Sequence, residues 1–384
     1  MSHSKRPRKQ PAGIRGIARS LGTSIGTVDR ALHDRAGISP KTRKKILERA
    51  RNIGYRPNLA ARFLSLRRHV RIGIILPREI APFWDLIRDG ITDMARSVET
   101  NGVQVVHRSY PRLGEGEVEA LEQALKDDVQ GLVIAPGRAK DLASLMRKAA
   151  ARGIPLVCVN TDAPTAPHLA TICVNSVVSG ALVGELMARF LGGRGRLVVV
   201  TGQLNTIDHS QKLEGIRKVI AEFWPQLEIA AVVEAHDDET EAYRKCRKAL
   251  ASFRDAAGVY VATANSLPVM RALDERGMSG RIHVITTDLF PAMAEFIESG
   301  RVAATLYQRP LVQGQIAFQA IYKFLTEGVS PPAVIRLSPH IVMRSNFKLF
   351  LERMRSDKAM RTKPPAGERA GRDGFLTSYA DEMT

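Results

Sequence analysis

The chain has few cysteines and no long apolar run. Its three cysteines among 384 residues are Cys158, Cys173 and Cys246, an odd number without metal-ligand spacing. Cys158 and Cys173 lie in apolar strand-like runs, which predicts buried, reduced thiols. No stretch approaches 18 uninterrupted apolar residues, so we expect no membrane span. The basic start MSHSKRPRKQ lacks the apolar run of a secretory signal. A cytoplasmic protein fits these observations.

Catalytic and cofactor-binding motifs are also missing. The sequence contains no HExxH, no GxSxG and no Cys/His cluster of metal spacing. The glycine-rich run GGRGR (192–196) precedes a strand and lacks the Lys-Ser/Thr pair of a phosphate loop, so it predicts a turn. Asp237, Asp238 and Glu239 are most economically the acidic start of a helix. We therefore expect no catalysis, no cofactor and no metal.

The positive charge is concentrated at one end. Residues 1–68 carry a net +15 of the chain's +18. A charge gathered in one small module is typical of phosphate binding. A solubilising basic tail is the alternative, and the caps and apolar faces of the same segment argue against it.

That basic segment has the pattern of a helix-turn-helix. Apolar residues at helical spacing begin at Ile14, Gly22 stands at a turn, and Ser24 can cap a second helix. Ser39-Pro40 is a strong start signal for a third helix that ends near Asn52. Such a unit lays its second helix in a DNA major groove.

From Val70 onward, short apolar runs alternate with longer amphipathic helices, which indicates parallel sheets covered on both faces. The units are too many for one small sheet, so we expect two α/β lobes with ligand at the carboxyl ends of the strands. Three further short runs are candidate crossovers between the lobes: TICVN (171–175), VAATLYQ (302–308) and AVIRLS (333–338).

The segments TSIGTVDRAL (23–32), ISPKTRKKI (38–46) and GYRPNLAARFL (54–64) together resemble the LacI/GalR family of transcriptional regulators. The resemblance covers about residues 14–347. It implies an all-α helix-turn-helix domain followed by a two-lobed α/β domain like the type I periplasmic sugar-binding proteins. The expected division is a disordered arm (1–13), a DNA-binding domain (14–57), a hinge helix and linker (58–69), an effector-binding and dimerisation domain (70–347) and a largely disordered tail (348–384). Lobe 1 is expected at 70–174 and 309–332, and lobe 2 at 175–308 and 333–347.

For DNA recognition, the resemblance assigns base edges to Ile25, Gly26 and Arg30. The hydroxyl groups of Thr23, Ser24 and Thr27 are candidates for contacts with phosphate oxygens. Arg can give guanine a bidentate donor pair, and Ile can contact a thymine methyl. Ser24 acting only as a helix cap stays an open alternative.

The hinge is expected to fold when two copies meet over the operator. The resemblance makes Leu64 a wedge in a central minor-groove step, with Ala61 beside it and Asn58 at the start of the segment. A linker whose Leu64 packs on the core is the alternative.

For the effector, Phe83 and Trp84 follow the first core strand, where the related binding proteins place aromatic residues against a sugar face. Asp288 and Gln308 match the family's hydroxyl-binding carboxylate and amide. The full expected set is Phe83, Trp84, Asn160, Asp162, His209, Ser210, Lys212, Asn265, Asp288 and Gln308. Trp84 as ordinary core, and surface positions for His209, Ser210 and Lys212, remain alternatives.

Together these features predict a homodimeric transcriptional repressor that binds a near-palindromic double-stranded operator. A sugar or polyol between the lobes would control its affinity for DNA. No membrane partner is expected. A freestanding sugar-binding protein without DNA regulation is the alternative.

Overall fold

The computed structural model describes residues 14–32, 37–52, 70–99 and 102–362. The chain divides near residue 65 into two compact units. The predicted arm (1–13), the hinge residues Asn58, Ala61 and Leu64, and the tail beyond residue 362 lie outside the described residues. Among the helices that are described, none is both long and apolar enough to cross a bilayer.

The described part of the smaller unit is a helix-turn-helix with a closing helix. Its helices are α1 (Ile14–Ser20), α2 (Ile25–Leu32) and α3 (Pro40–Asn52). Their apolar faces share one small core, in which Ile17, Val28 and Ile46 are almost fully buried. The predicted third helix begins and ends where the sequence placed it.

Short polar side chains fix the starts of these helices. Gly22 takes the left-handed φ of 60° that the turn between α1 and α2 requires. The Ser24 hydroxyl then accepts a hydrogen bond from the Thr27 amide at 3.0 Å. Ser39 does the same for the Thr42 amide at 3.2 Å. Each hydroxyl satisfies a donor that the first helical turn leaves without a partner.

The larger unit contains two six-stranded sheets. In sequence order the strands are β1 (Val70–Pro77), β2 (Val103–Tyr110), β3 (Gly131–Ile134), β4 (Leu156–Val159), β5 (Ala170–Val174), β6 (Arg194–Thr201), β7 (Gln226–Glu234), β8 (Ala256–Val261), β9 (His283–Thr287), β10 (Ala304–Tyr307), β11 (Val334–Leu337) and β12 (His340–Val342). The first sheet has the order β11-β5-β4-β3-β1-β2 and the second β12-β10-β9-β8-β6-β7. Every described strand pair is parallel except β10 with β12.

Amphipathic helices cover the sheets. They are α4 (Ala81–Ser97), α5 (Glu117–Lys126), α6 (Ala139–Ala151), α7 (Ser176–Phe190), α8 (Ile207–Phe223), α9 (Glu239–Ser252), α10 (Leu267–Glu275), α11 (Ala294–Glu298), α12 (Pro310–Glu327) and α13 (Phe347–Thr362). Separate apolar cores lie in the two lobes, one centred on Leu132 and Cys158 and the other on Leu197 and Ile285. The predicted two-lobed α/β architecture is confirmed.

The chain passes between the lobes three times. It leaves the first sheet after β5, returns after β10 to α12, and passes again between β11 and β12. The expected placement of residues 333–347 in lobe 2 is wrong for β11, because Val334–Leu337 pairs with β5 in the first sheet. A four-residue run does not indicate which sheet edge it will join, since pairing depends on tertiary neighbours.

The expected disorder from residue 348 is also wrong for the start of that segment. Residues 347–362 form α13. Phe347 and Leu351 are buried, and the Phe350 ring lies 5.8 Å from the Tyr307 ring. These apolar contacts hold the first turns of a segment whose overall composition is polar.

Glycines allow α7 and α8 to approach closely. A Cβ atom at Gly180 would lie 1.9 Å from the backbone oxygen of Lys212, and one at Gly215 would lie 2.0 Å from the oxygen of Val177. Any side chain at either position would therefore push the helices apart. This contact holds the backbone of α8, and with it Lys212, against the second lobe.

Candidate functional site

The second helix of the smaller unit presents a mixed apolar and basic surface. Ile25 is 50% exposed, and Gly26 and Arg30 are exposed beside it. The Arg30 guanidinium donates through Nε to the Gly26 carbonyl at 3.1 Å. Ser24 and Thr27 share a hydrogen bond of 2.8 Å between their hydroxyls. The capping role expected of Ser24 is therefore present, and its hydroxyl is exposed as well. The contacts predicted with DNA remain predictions.

The larger unit holds a narrow cavity between its lobes, with about 20 Å³ of space for water-sized molecules. Its lining is polar on one side and aromatic on the other. The lining residues are Ile80, Phe83, Trp84, Leu113, Asn160, Asp208, His209, Lys212, Asp237, Ala262, Thr263, Ala264, Asp288 and Gln308. Seven of the ten predicted effector residues are among them.

Most of these residues stand just beyond the carboxyl ends of parallel strands. Asn160 follows β4, Asp237 comes after β7, Asp288 follows β9 and Gln308 follows β10. The ends of parallel strands meet at one edge of a sheet, and in open α/β folds ligands bind there. The alternation of strands and helices in the sequence thus brings together residues that are far apart along the chain.

Backbone strain is concentrated at the same place. Ile80, Asn160, Asp237 and Asp288 have left-handed φ angles between 55° and 68°. Such angles cost non-glycine residues free energy, and they persist where the surrounding structure fixes them, often at ligand sites. Here the strained residues direct their side chains into one cavity.

The aromatic wall consists of Phe83 and Trp84 at the start of α4. Their rings meet edge to face with centroids 4.9 Å apart, and the side chains are 5% and 3% exposed. Both line the cavity. Trp84 is thus buried and also lies at the cavity wall, where an apolar C–H face of a ligand could pack against it.

A fully buried ion pair lies opposite. Lys212 Nζ donates to Asp208 Oδ2 at 2.8 Å, to Gln308 Oε1 at 2.9 Å and to the Ala262 carbonyl at 3.2 Å. Ser176 donates to the other Asp208 oxygen at 2.6 Å. Burial alone would raise the pKa of Asp208, but Lys212 holds that pKa below its ordinary value. The surface position considered for Lys212 is therefore wrong.

Asp288 and Gln308 are hydrogen-bonded to each other. The Gln308 amide donates from the backbone to Asp288 Oδ1 at 2.9 Å and from the side chain to Oδ2 at 2.6 Å. Burial raises the pKa of Asp288 to about 6, although these hydrogen bonds and Lys212 oppose the rise. The two residues form one unit that continues to Lys212.

Two buried oxygens in the cavity have no hydrogen-bond partner, Asn160 Oδ1 and Asp237 Oδ1. Buried polar atoms are nearly always paired, and an unpaired one costs free energy. Both oxygens are hydrogen-bond acceptors. The cavity is therefore suited to a ligand with several donors, such as hydroxyl groups.

Three predicted residues lie elsewhere. Asn265 lines a wider cavity of about 440 Å³ that shares Ile80, Asp237 and Ala264 with the first, and its side-chain nitrogen has no partner. The Ser210 hydroxyl bonds back to the Thr206 and Ile207 carbonyls within α8. Neither Ser210 nor Asp162 lines the cavity.

Asp162 belongs instead to a polar cluster behind β4 and β5. Its Oδ1 accepts from the Thr171 hydroxyl at 2.6 Å and lies 3.3 Å from His168 Nε2. Asp162, His168 and Cys158 form a group, among the described residues, whose ligand atoms all lie within 4.8 Å of one another and could hold a metal ion. Burial raises the pKa of the Cys158 thiol above its ordinary value. Hydrogen bonds among Asp162, His168 and Thr171 already fix the loop after β4.

Sequence reasoning missed two cavity carboxylates. Asp208 stands one helical turn before Lys212, a spacing that favours ion pairs and was a usable signal. Asp237 was interpreted as part of a helix start, a role that belongs to Asp238, whose carboxylate caps α9 at the Glu241 amide. Asp237 lies three residues beyond the end of β7, and the half-buried pattern of that strand gave little signal for it.

Both units of the chain match models of known protein families. The family model described as bacterial regulatory proteins, lacI family, matches residues 13–58. A second model, the periplasmic binding protein domain, matches residues 72–328, about two thirds of the chain. The chain belongs to the LacI family of bacterial regulatory proteins. Its larger unit is a periplasmic binding protein domain.

Two relatives of this LacI-family protein align over nearly their whole length. Catabolite control protein A of Priestia megaterium is 21% identical over 340 residues, which is 87% of this chain and 99% of that protein. The ribose operon repressor of Lactococcus lactis is also 21% identical over 340 residues, covering 87% and 98%. A glucose-galactose binding protein from Geobacillus stearothermophilus has the same fold as the larger unit, with a TM-score of 0.67, 20% identity and coverage of 73% of this chain and 99% of that one.

Proposed function

We propose that this LacI-family protein is a transcriptional repressor whose affinity for an operator is controlled by a sugar or polyol in the cavity. It would act in the cytoplasm as a homodimer on a near-palindromic site, because symmetric proteins favour symmetric sites. The observation that best supports an effector site is the cavity between the lobes. An aromatic wall faces carboxylate and amide groups at strand ends, and two acceptors there have no partner.

The cavity is nearly closed in this structure. Its free space of about 20 Å³ would hold about one water molecule, so a sugar would enter only after the two lobes move apart. Trp84 and Phe83 offer an apolar face, and Asp288 offers oxygens that accept from hydroxyl groups. The ribose operon repressor and the glucose-galactose binding protein, to which this chain is similar, are named for sugars, in agreement with such a ligand.

On the DNA side, Ile25 is suited to a thymine methyl because it is the exposed apolar side chain at the start of α2. Arg30 would exchange its bond to the Gly26 carbonyl for a guanine edge. Thr23, Ser24 and Thr27 would contact phosphates, together with the amides of the helix start. For Leu64, Ala61 and Asn58 the minor-groove role stays a proposal from the family resemblance.

The first test is a thermal-shift screen of the full chain with pentoses, hexoses, polyols and inositols. A ligand that binds only the folded state adds about 2.7 kcal/mol of stability at a hundredfold excess over Kd. We expect a saturable shift that Asp288→Asn abolishes. Asn is the suitable replacement because it tolerates the left-handed backbone of this position. A cooperative melt without any shift would contradict a sugar effector.

The second test is in vitro selection from random duplex DNA. We expect enrichment of near-palindromic sequences, and release of the selected duplex by the effector found in the screen. Ile25→Ala should reduce specific binding by about tenfold while leaving weak non-specific binding, whose strength depends on phosphates. Lys218→Ala, at an exposed position of α8, is the control. Sugar binding without any selected sequence would favour a freestanding binding protein.

A further inference from the structure

The cavity is acidic although the chain as a whole is strongly basic. Its ionisable side chains are Asp208, Asp237, Asp288, Lys212 and His209. With all carboxyl groups ionised, the negative groups outnumber the positive ones even if the imidazole carries a proton. The protein as a whole has a net charge of +18, of which +3 lies beyond residue 68. The acidity is therefore local to the ligand site.

Asp237 is the carboxylate without a counterion. Lys212 neutralises Asp208, and Gln308 donates twice to Asp288. Asp237 is only 5% exposed, and its Oδ1 has no hydrogen-bond partner. Burial raises the pKa of Asp237, against the opposing effects of His209 and Lys212. Burying an ionised carboxylate without a partner costs free energy. A bound hydrogen-bond donor or cation would offset that cost.

His209 does not fill that role in this structure. Its Nδ1 lies 3.1 Å from both the backbone nitrogen and the backbone oxygen of Gln203, so that nitrogen is held by the loop before α8. Its Nε2 lies 3.9 Å from Asp208 Oδ2. The imidazole is thus bonded to neighbours other than Asp237.

The wider cavity, which Asn265 lines, also has more acidic than basic side chains. It is lined by Arg78 and Arg112 and by four acidic residues, Glu79, Asp237, Asp238 and Glu239. The Arg112 guanidinium is bound to Glu79 at 3.2 Å and to Asp238 at 3.0 Å, so its charge is already compensated. Four carboxyl groups against two guanidinium groups leave this cavity with a net negative charge, which raises the local concentration of cations.

We propose that the effector is a sugar or polyol that carries a cationic amino group, which Asp237 binds. The inference rests on the proposed function of the cavity as an effector site. An ammonium group supplies three donors and a positive charge to the unpaired carboxylate, and charge-assisted hydrogen bonds of this kind are about twice as strong as neutral ones. The hydroxyl groups of the same molecule serve the Asn160 amide and Asp288. Phosphorylated and carboxylated sugars are excluded by the acidic cavity.

The test compares sugars that share a ring and differ in one group. The probes are D-glucose, D-galactose and D-mannose, their 2-amino derivatives, N-acetylglucosamine, and glucose 6-phosphate. Affinity is measured by calorimetry on the full chain at a pH where the amines are protonated. We expect at least one amino sugar to bind ten times more tightly than its neutral counterpart, and the phosphate not to bind.

One variant and one control show whether Asp237 causes the preference for the amino group. Asp237→Asn keeps the size and tolerates the left-handed φ of 55°, and it should reduce the amino-to-neutral affinity ratio to about threefold or less. Glu214→Gln removes one exposed charge from α8 outside the cavity and should leave the ratio unchanged.

The outcomes separate the two proposals. A neutral or anionic sugar that binds more tightly than its amino counterpart would overturn the inference and leave the sugar-effector function intact. A preference for the amine that persists in Asp237→Asn would overturn the role of Asp237. If no probe binds to a protein that melts cooperatively, the sugar-effector function itself fails.

Discussion

Lys212→Met tests the buried ion pair that organises the candidate site. Lys212 is 1% exposed, and its ammonium makes hydrogen bonds with Asp208, Gln308 and the Ala262 carbonyl. Methionine keeps most of the volume and removes the charge. Asp208 would then be a buried carboxylate with Ser176 as its remaining described donor. Breaking a buried pair in this way costs about 3–5 kcal/mol of the free energy of unfolding.

The assay is urea unfolding followed by tryptophan fluorescence. The chain has two tryptophans, Trp84 and Trp224, and both belong to the larger unit, so the signal reports on that unit. The double variant Asp208→Leu, Lys212→Met should recover much of the loss, because no isolated charge remains in the core. The double-mutant cycle should give a coupling energy of at least about 2 kcal/mol.

Lys245→Met is the matched control. Lys245 also pairs with a carboxylate one helical turn away, Glu241 at 2.6 Å, but the two side chains are 30% and 34% exposed. Partly exposed pairs contribute about 1 kcal/mol or less. A loss below about 1 kcal/mol for Lys212→Met, or a double variant as unstable as the two single losses combined, would refute the argument.

Three further predictions concern the same domain. Asp288 has a folded-state pKa of about 6, above its unfolded value, so the free energy of unfolding should fall by roughly 2–3 kcal/mol as pH rises from about 4 to about 6. Asp288→Asn should remove that part of the slope in urea titrations, and an unchanged slope would contradict it. Gly180→Ala should cost about 1–3 kcal/mol in the same assay, because its Cβ would overlap the Lys212 oxygen. Trp84→Leu should abolish the effector-induced thermal shift while the variant still melts cooperatively. A retained shift would remove Trp84 from the site.

The helix-turn-helix and the alternating α/β pattern could be predicted because both depend on local signals. Ser24 and Pro40 mark helix starts by chemistry that acts within one turn. Buried parallel strands such as β1 appear in the sequence as continuous apolar runs. The edge strand β7 was not predicted, because most of its side chains are only half-buried and its pattern is weak.

Long-range partnerships could not be predicted in the same way. The pairing of β11 with β5 joins segments more than 160 residues apart, and nothing within Val334–Leu337 specifies it. Asp162 was assigned to the cavity because it follows a strand end, yet its side chain turns toward Thr171. Asp237 was assigned to a helix start although its neighbour Asp238 has that role. Asp237 lines the cavity and its neighbour Asp238 caps a helix, so a shift of one residue along the chain exchanges the two roles.

The three chain passages between the lobes have a consequence for genetics. Ser176 and Gln308 stand at the first two passages, and both are hydrogen-bonded into the Lys212 network that lines the cavity. The segments that join the lobes and the residues that line the candidate site therefore belong to one hydrogen-bond network. Substitutions of Ser176 or Gln308 should seldom abolish the response to the effector without any other change. Most should also change the resting level of repression, so that a screen for non-inducible alleles would recover constitutive ones from neighbouring codons.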